Sequence, residues 1–237
     1  DHPEEMRAVY ESGLSRVFLP EFDAMMQTPQ HTIHHQYSVG EHTIHAIMGV
    51  PPDRILRLTM LFHDIGKPQC RTTDADGIDH FHGHPEVGAE MTGQILHRLK
   101  FDNDTVKRLV RFHDLRPALT KKSIRRSMVK MGLECFPQIF TVKRADALAQ
   151  STYMRAEKLE AIDRFEELYE EILADHACIQ KKDLAINGKE LLALGLPQGK
   201  QIGQVLDKLF AKVVEDPACN TKEILLAEAR KELEQQG

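Results

Sequence analysis

Helical periodicity is the feature that most restricts the fold of this chain. Apolar residues recur at spacings of three and four in successive segments, and no segment alternates as a half-buried strand would. In the stretch 53–65 the apolar face consists of Ile55, Leu58, Leu61, Phe62 and Ile65. We therefore predict an all-α fold. A change of composition near residue 180 predicts a helical bundle over residues 1–180 and a small helical tail over residues 181–237.

The same periodicity, with capping and breaking residues, places the individual elements. Asn187 and Glu190 have the spacing of a capping box, and the Asp- and Gly-rich segment 70–84 is expected to be a loop. Helices are predicted over residues 39–49, 53–65, 85–99, 104–113, 200–215 and from Asn220, with one long or two consecutive helices over residues 141–179.

Composition excludes several classes of protein. The chain of 237 residues has 41% hydrophobic and 28% charged residues, as in a globular protein, and no run of 18 apolar residues. The start of the chain lacks the features of a signal peptide, so we expect a cytoplasmic protein with no membrane partner. Four widely spaced cysteines predict reduced thiols rather than a disulfide framework. The first residue is Asp1, not methionine, as in a fragment or a processed product.

One segment stands out electrostatically. The formal net charge of -5 gives no general attraction for nucleic acid, so phosphate binding would need a local basic patch. Residues 115–133 carry six Lys or Arg and no acid, among them Arg116, Lys121, Lys122, Arg125 and Arg126. Such a block is usually a solvated face, with contact to an RNA backbone as the alternative.

Thirteen histidines are unusual, and three of them lie on a predicted apolar helix face or at its end. His42 lies on one inner face, while His63 with Asp64 and His113 with Asp114 each end another. The set His42, His63, Asp64 and Asp114 offers two imidazoles and two carboxylates, which suit Mn, Fe, Ni, Co or Zn better than Ca and leave coordination positions open. The alternative for an isolated His-Asp pair is a helix C-terminus without a ligand.

Four motifs carry a resemblance. In order, "EHTIHA", "LFHDIGKP", "HFHGHPEVGAE" and "LVRFHD" resemble the HD-domain superfamily of metal-dependent phosphohydrolases. The resemblance implies an HD-domain bundle with His42, His63, Asp64 and Asp114 as metal ligands. It also implies His84 and His113 as ligands of a second ion, and Lys67 as a phosphate contact. One or two divalent ions are expected, with Mg as a further option.

A wider resemblance covers nearly the whole chain. The segments "VYESGLSRVFLPEFDAMMQTPQ", "KRADALAQS" and "INGKELLALGLPQGKQIGQVLDKLFAKVVEDP" are similar to the C-terminal part of bacterial CCA-adding tRNA nucleotidyltransferases that carry an HD domain. The Gly-Ser run and paired aspartates of that family's polymerase head do not occur in these 237 residues. This chain alone is therefore not expected to add nucleotides, and tRNA is an expected partner.

Three hypotheses about function follow. The first is metal-assisted hydrolysis of a phosphoester of a nucleotide or an RNA end, with Asp64 bridging two ions, Lys67 and Arg116 neutralising phosphate, and His84 or His113 as the acid if neither binds metal. The resemblance suggests a 2',3'-cyclic phosphate or a phosphomonoester as substrate. The second is a tRNA-binding module with a vestigial metal site. The third, a di-iron oxygenase, has no residue that favours it over hydrolysis.

Overall fold

The computed structural model describes residues 2–101, 104–175 and 177–234 and confirms an all-α fold in these ranges. The helices are α1 (Met6–Glu11), α2 (Ser15–Phe18), α3 (Pro20–Gln27), α4 (Val39–Met48), α5 (Arg54–Phe62), α6 (Lys67–Cys70), α7 (His84–Arg98), α8 (Asp104–Phe112), α9 (Lys121–Met131), α10 (Gln138–Ala149), α11 (Arg155–Ala174), α12 (Gly188–Ala193), α13 (Lys200–Glu215) and α14 (Lys222–Glu234). Short 3-10 turns lie at Pro3–Glu5, Lys181–Asp183 and Pro217–Cys219.

The helix boundaries follow the expected signals. Asp53 caps α5 by accepting a hydrogen bond from the amide of Leu56, and the capping box at Asn187 and Glu190 opens α12. The periodic segment 141–179 forms two helices, because α10 ends at Ala149 and Met154 adopts a positive φ of 51° before α11. Asp104, the expected N-cap, is the first residue of α8, and the residue before it lies outside the described ranges.

The segment 70–84 differs from the predicted loop. Two short antiparallel strands, β1 (Thr72–Thr73) and β2 (Asp79–His80), pair within it. The turn between them is held by Asp74, whose carboxylate accepts hydrogen bonds from the amides of Asp76 and Ile78. The hairpin is too short to show the alternating pattern by which a strand is predicted from sequence.

The chain divides into two compact units. The first comprises Asp1–Arg116 and Leu133–Asp163, and the second comprises Pro117–Gly132 and Arg164–Gly237. The boundary predicted near residue 180 stays a prediction, and the predicted tail lies within the second unit. All four cysteines are free thiols. Cys135 and Cys178 are buried, and Cys70 and Cys219 are partly exposed.

Each unit has its own hydrophobic core. In the first unit, α3, α4, α5, α7 and α8 bury a cluster that includes Phe22, Ile44, Phe62 and Val110, and α10 packs against α4 and α5. In the second unit, α12, α13 and α14 bury a cluster that includes Leu191, Leu209 and Leu225. Among the described helices, none has the length and apolar content needed to cross a bilayer.

Candidate metal centre

Five buried or nearly buried side chains converge in the first unit. His42 comes from the middle of α4, His63 and Asp64 from the turn that follows α5, His84 from the first residue of α7, and His113 from the position after α8. All but His84 are at most 3% exposed. The core therefore delivers four imidazoles and one carboxylate to a single buried place.

Gly66 allows this convergence. The predicted helix 53–65 ends earlier, at Phe62, and the chain turns through His63 and Asp64 before α6 begins at Lys67. A Cβ atom at Gly66 would lie 2.5 Å from the carbonyl oxygen of His84 and 2.7 Å from the amide nitrogen of Gly88. Only glycine permits this approach, which brings the turn against the start of α7.

The converging residues form two groups of metal-ligand type. The first is His42, His63 and Asp146, and the second is Asp64, His84 and His113. In each group the candidate ligand atoms lie within 4.8 Å of one another. Either group offers the mixture of imidazole nitrogen and carboxylate oxygen that transition metals bind.

The carboxylate of Asp64 lies between the two groups. Its Oδ2 atom is 3.3 Å from His63 Nε2 and 3.6 Å from His42 Nε2. Its Oδ1 atom is 3.4 Å from His84 Nε2 and 3.7 Å from His113 Nε2. One oxygen thus faces each pair of imidazoles, which is the arrangement of a bridging ligand.

The orientation of the four imidazoles is fixed from outside the cluster. Each Nδ1 atom lies near a main-chain carbonyl oxygen, which can only accept, so Nδ1 carries the proton and the Nε2 lone pair faces inward. The four Nδ1 to carbonyl distances are His42 to Ala149, 3.3 Å; His63 to Met60, 2.7 Å; His84 to Phe81, 2.8 Å; and His113 to Val110, 2.7 Å. Metal-binding histidines are oriented in this way.

The inward lone pairs test whether a metal fits. The Nε2 atoms of His42 and His63 are 3.2 Å apart, and so are those of His84 and His113. Two neutral acceptors at this distance repel each other unless a cation lies near both of them. Two nitrogens that bind one ion at about 2.0–2.1 Å each lie roughly 3 Å apart, so the donor set fits a divalent metal in either group.

Lys67 provides one positive charge within the cluster. Its Nζ atom lies 2.7 Å from Asp64 Oδ2 and also donates to Gln30 Oε1 at 2.7 Å. Burial acts to raise the pKa of Asp64, but the positive charge of Lys67 holds it below its ordinary value. Asp64 is therefore a carboxylate, and Lys67 keeps that carboxylate in place.

Asp146 and Asp114 have different surroundings. Asp146 Oδ1 lies 3.0 Å from His42 Nε2 and accepts a hydrogen bond from Gln150 at 3.1 Å. Asp114, predicted as a ligand, belongs to neither group in the described residues and pairs with exposed Arg116 at 2.7 Å.

Cationic side chains surround this part of the unit. Lys143 donates to the carbonyl oxygen of Leu115 at 2.9 Å, and Lys158 donates to Gln150, the residue that also contacts Asp146. Burial lowers the pKa of Lys143 and of Lys158, while the charge of Asp146 acts in the opposite direction on both. Lys143 and Lys158 are thus cations whose partners lie next to His113 or Asp146.

His35 also belongs to the site. Its ring lies edge-on to His42, with centroids 5.2 Å apart, and its buried Nδ1 atom has no hydrogen-bond partner among the described residues. Burial, with the charge of Lys67, lowers the pKa of His35 to about 3. His35 is thus a neutral imidazole with an unpaired nitrogen beside the cluster.

The predicted basic block behaves differently. In the second unit Lys121 pairs with Asp175 at 2.8 Å and with Glu171 at 3.1 Å. Lys122 and Arg126 both pair with Glu215. Arg125 is 7% exposed and donates to the main-chain carbonyl of Val214 at 2.9 Å. Each of these four predicted phosphate contacts therefore has an acceptor within its own unit.

Sequence reasoning did not single out Asp146, His35 or Gln30. A signal for Asp146 exists, because it is the one carboxylate in α10 and stands among Ala145, Ala147 and Ala149. A charged residue among buried alanines needs a partner. The sequence offers no comparable signal for Gln30 or for His35.

Comparison with known proteins places the chain in a family. Residues 84–229 match the family model of tRNA nucleotidyltransferase domain 2, which is more than half of the chain. The chain belongs to this family. It is 33% identical over 215 residues to the CC-adding tRNA nucleotidyltransferase of Thermus thermophilus and 34% identical over 212 residues to the A-adding tRNA nucleotidyltransferase of Deinococcus radiodurans.

The alignments differ in how much they cover. These two cover 86% and 83% of this chain and 47% of each relative, so the chain spans about half the length of the relatives. A third relative, the bifunctional uridylyltransferase/uridylyl-removing enzyme of Ruegeria pomeroyi, is 29% identical over 142 residues, which is 49% of this chain and 14% of that protein.

Proposed function

We propose that this chain is an HD-type, metal-dependent phosphohydrolase that acts on a phosphoester of a nucleotide or an RNA end. The observation that carries the proposal is the carboxylate of Asp64, which presents one oxygen to each of two imidazole pairs whose lone pairs face inward. The proposal is also supported by the order of the motifs around His42, His63 and His84, which resembles that of HD phosphohydrolases.

The proposed ligands follow from the two groups. His42, His63 and Asp146 would hold one ion, and His84 and His113 a second, with Asp64 shared between them. Asp146 replaces Asp114 in this assignment. A divalent ion bound there would lower the pKa of a water molecule toward about 7 and offset negative charge on the phosphoryl group. Mn, Ni, Co, Fe and Zn suit these donors best.

The chain's own residues would do the remaining work. Lys67 fixes the carboxylate of Asp64, and Arg116, Lys143 and Lys158 bring positive charge toward the phosphate of the substrate. The carbonyl oxygens that orient the four imidazoles keep them in place without substrate, which lowers the reorganisation needed for reaction. His35 offers an unpaired nitrogen beside His42 for a hydrogen bond to the substrate.

Two kinds of relatives support the substrate class. The names of two relatives describe enzymes that act on tRNA, and the name of a third describes removal of a uridylyl group. A nucleotide-containing phosphoester is common to both. We therefore propose 2',3'-cyclic nucleotides, phosphomonoesters of nucleotides or RNA ends as substrates, and tRNA as a partner.

The test is hydrolysis of 2',3'-cyclic AMP and of a generic phosphomonoester in the presence of Mn, Ni, Co or Mg. We expect activity in the wild type that depends on added metal and disappears in Asp64→Asn. Asp76→Asn is the matched control, because Asp76 is exposed in the turn between β1 and β2 and belongs to neither metal group. Equal activity in wild type and Asp64→Asn, or none with any metal, contradicts the proposal.

RNA binding without hydrolysis is the second candidate, and the family match favours it. In that case the chain would bind tRNA with an affinity that falls steeply with salt. Asp64→Asn would leave such binding unchanged. Measuring tRNA binding at two salt concentrations alongside the hydrolysis assay separates the two candidates.

A further inference from the structure

A cavity of about 260 Å³ lies in the first unit and plays no part in the metal groups. Its lining includes Gln36, Tyr37, His45, Leu148 and Arg155. None of the described residues that line it is acidic. Glu41 lies 3.9 Å from His45 and forms a closer ion pair with Arg7. The cavity therefore suits a neutral or anionic ligand.

Two stacked rings form one part of the lining. The rings of Tyr37 and His45 are nearly parallel, at 18°, with centroids 4.4 Å apart. Gly49 and Ala145 also line the cavity and pack closely, since a Cβ atom at Gly49 would lie 3.3 Å from Ala145 Cβ. Aromatic rings in the lining suit a planar heteroaromatic ring, because stacking on aromatic side chains is tolerant of the kind of base.

Arg155 supplies an unused polar group. Its terminal NH2 donates to the carbonyl oxygen of Gln150 at 2.8 Å, but its buried Nε has no hydrogen-bond partner among the described residues. A buried donor of this kind lacks the acceptor that most buried polar groups have. A guanidinium group in this position suits a phosphate or another anionic acceptor, which can bind two of its N–H groups.

The cavity is connected to the first metal group through α10. Ala149 lines the cavity, and its carbonyl oxygen orients His42. Gln150 accepts from Arg155 through its main chain and donates from its side chain to Asp146. An occupant of the cavity would therefore touch Ala149, whose carbonyl oxygen orients His42, and Arg155, which donates to Gln150.

We infer that this cavity is a binding site for a nucleoside monophosphate, separate from the metal groups, with the base against Tyr37 and His45 and the phosphate at Arg155. The occupant is a free nucleotide or the terminal nucleotide of an RNA, which share this chemistry. The site does not depend on the proposed hydrolysis, because no residue of the cavity lining belongs to either metal group.

The experiment is titration of the full chain with AMP, adenosine, inorganic phosphate and the trinucleotide ApApA by calorimetry, with EDTA present. Tyr37→Leu should weaken AMP binding by at least about fivefold and Tyr37→Phe should retain it, because stacking rather than the hydroxyl is needed. Tyr153→Leu is the matched control, since Tyr153 is 46% exposed and does not line the cavity. That variant should bind AMP within about twofold of wild type.

Arg155→Gln distinguishes the contribution of the phosphate to binding from that of the nucleoside. It should weaken AMP by about tenfold and adenosine by much less, because only the phosphate needs the guanidinium group. A thermal melt of each variant checks that it folds. ApApA binding as tightly as AMP would assign the site to RNA ends, and binding of AMP alone would assign it to free nucleotides.

Three outcomes overturn the inference. The first is that AMP shows no saturable binding up to roughly 5 mM. The second is that Tyr37→Leu and Tyr153→Leu affect AMP equally. The third is that binding is lost in Asp64→Asn, which would place the nucleotide at the metal groups. Binding that persists in Asp64→Asn without hydrolysis would support the cavity and reject the proposed function.

Discussion

The residues around Asp64 and the basic helix α9 are both dense clusters of ionisable side chains, but their charges are arranged in opposite ways. Around α9, Lys121, Lys122 and Arg126 each pair with a carboxylate, and Arg125 has a carbonyl acceptor. Around Asp64, the Nε2 atoms of each imidazole pair lie 3.2 Å apart with their lone pairs facing each other, and each pair has a carboxylate beside it.

From this difference we expect the two regions to respond differently to substitution. Where charged groups pair with one another, as around α9, a substitution should lower the free energy of unfolding. Where like groups face one another, as around Asp64, a cation between them would relieve the repulsion, and a substitution should lower metal binding and activity. Variants of the two regions should therefore separate activity from stability.

The largest expected effect distinguishes Asp146 from Asp114. Asp146→Asn should lower metal-dependent hydrolysis by at least roughly 100-fold, since even the partners of metal ligands are worth 10–100-fold. Asp114→Asn should stay within about threefold of wild type, because Asp114 pairs with exposed Arg116. Steady-state kinetics of both variants measure this, and the reverse ranking would restore Asp114 as the ligand.

The next largest effect is the change in the free energy of unfolding when metal binds. Adding metal at 100 times its dissociation constant should stabilise the wild type by about 2.7 kcal/mol, because the unfolded chain lacks the assembled groups. Melting curves with metal and with EDTA measure the shift. Asp64→Asn should show little shift and Asp76→Asn the full one, so an equal shift in all three would contradict a specific site.

A smaller effect is expected within α9. Arg125→Met removes the donor to the main-chain carbonyls of Val214 and Glu215 and should destabilise the chain by about 1–2 kcal/mol. Metal uptake should not change, because Arg125 belongs to neither metal group. Denaturant unfolding measures the first and elemental analysis the second. Loss of metal in this variant would contradict the expectation that α9 contributes to stability alone.

The smallest effect concerns the exposed ion pairs. Glu215→Gln removes the carboxylate shared by Lys122 and Arg126 on the surface, where such pairs contribute little. We expect no measurable change in melting temperature and a modest gain in nonspecific tRNA binding at low salt, because two cations are freed. Tighter tRNA binding that persists at high salt would instead show that α9 forms a specific RNA contact.

The sequence predicts the helices well because local periodicity and capping residues determine them. Asp53 opens α5, and the Asn187 capping box opens α12, as expected. The end of α5 at Phe62 was not predicted, because the apolar pattern continues to Ile65 while the backbone turns to meet α7. Close packing of Gly66 against another helix cannot be derived from the pattern of one segment.

The candidate site could be predicted only in part for a related reason. His63 and Asp64 are adjacent in sequence, and the predicted second-ion residues His84 and His113 lie together with Asp64 in the structure. Asp146 contacts His42 across 104 positions, a pairing that depends on how α10 packs against α4. Local patterns do not contain that packing, and they favour Asp114, next to His113, over Asp146 as a predicted ligand. Whether these residues bind metal stays a prediction.

The most direct test of the central claim is equilibrium dialysis of wild type, Asp64→Asn and Asp76→Asn against Mn or Ni, followed by elemental analysis. If the carboxylate of Asp64 joins two groups of metal ligands, the wild type and Asp76→Asn should retain metal in a near-integral ratio to protein, and Asp64→Asn should lose most of it. A wild type that binds no metal, or an Asp64→Asn variant that retains all of it, would contradict the account.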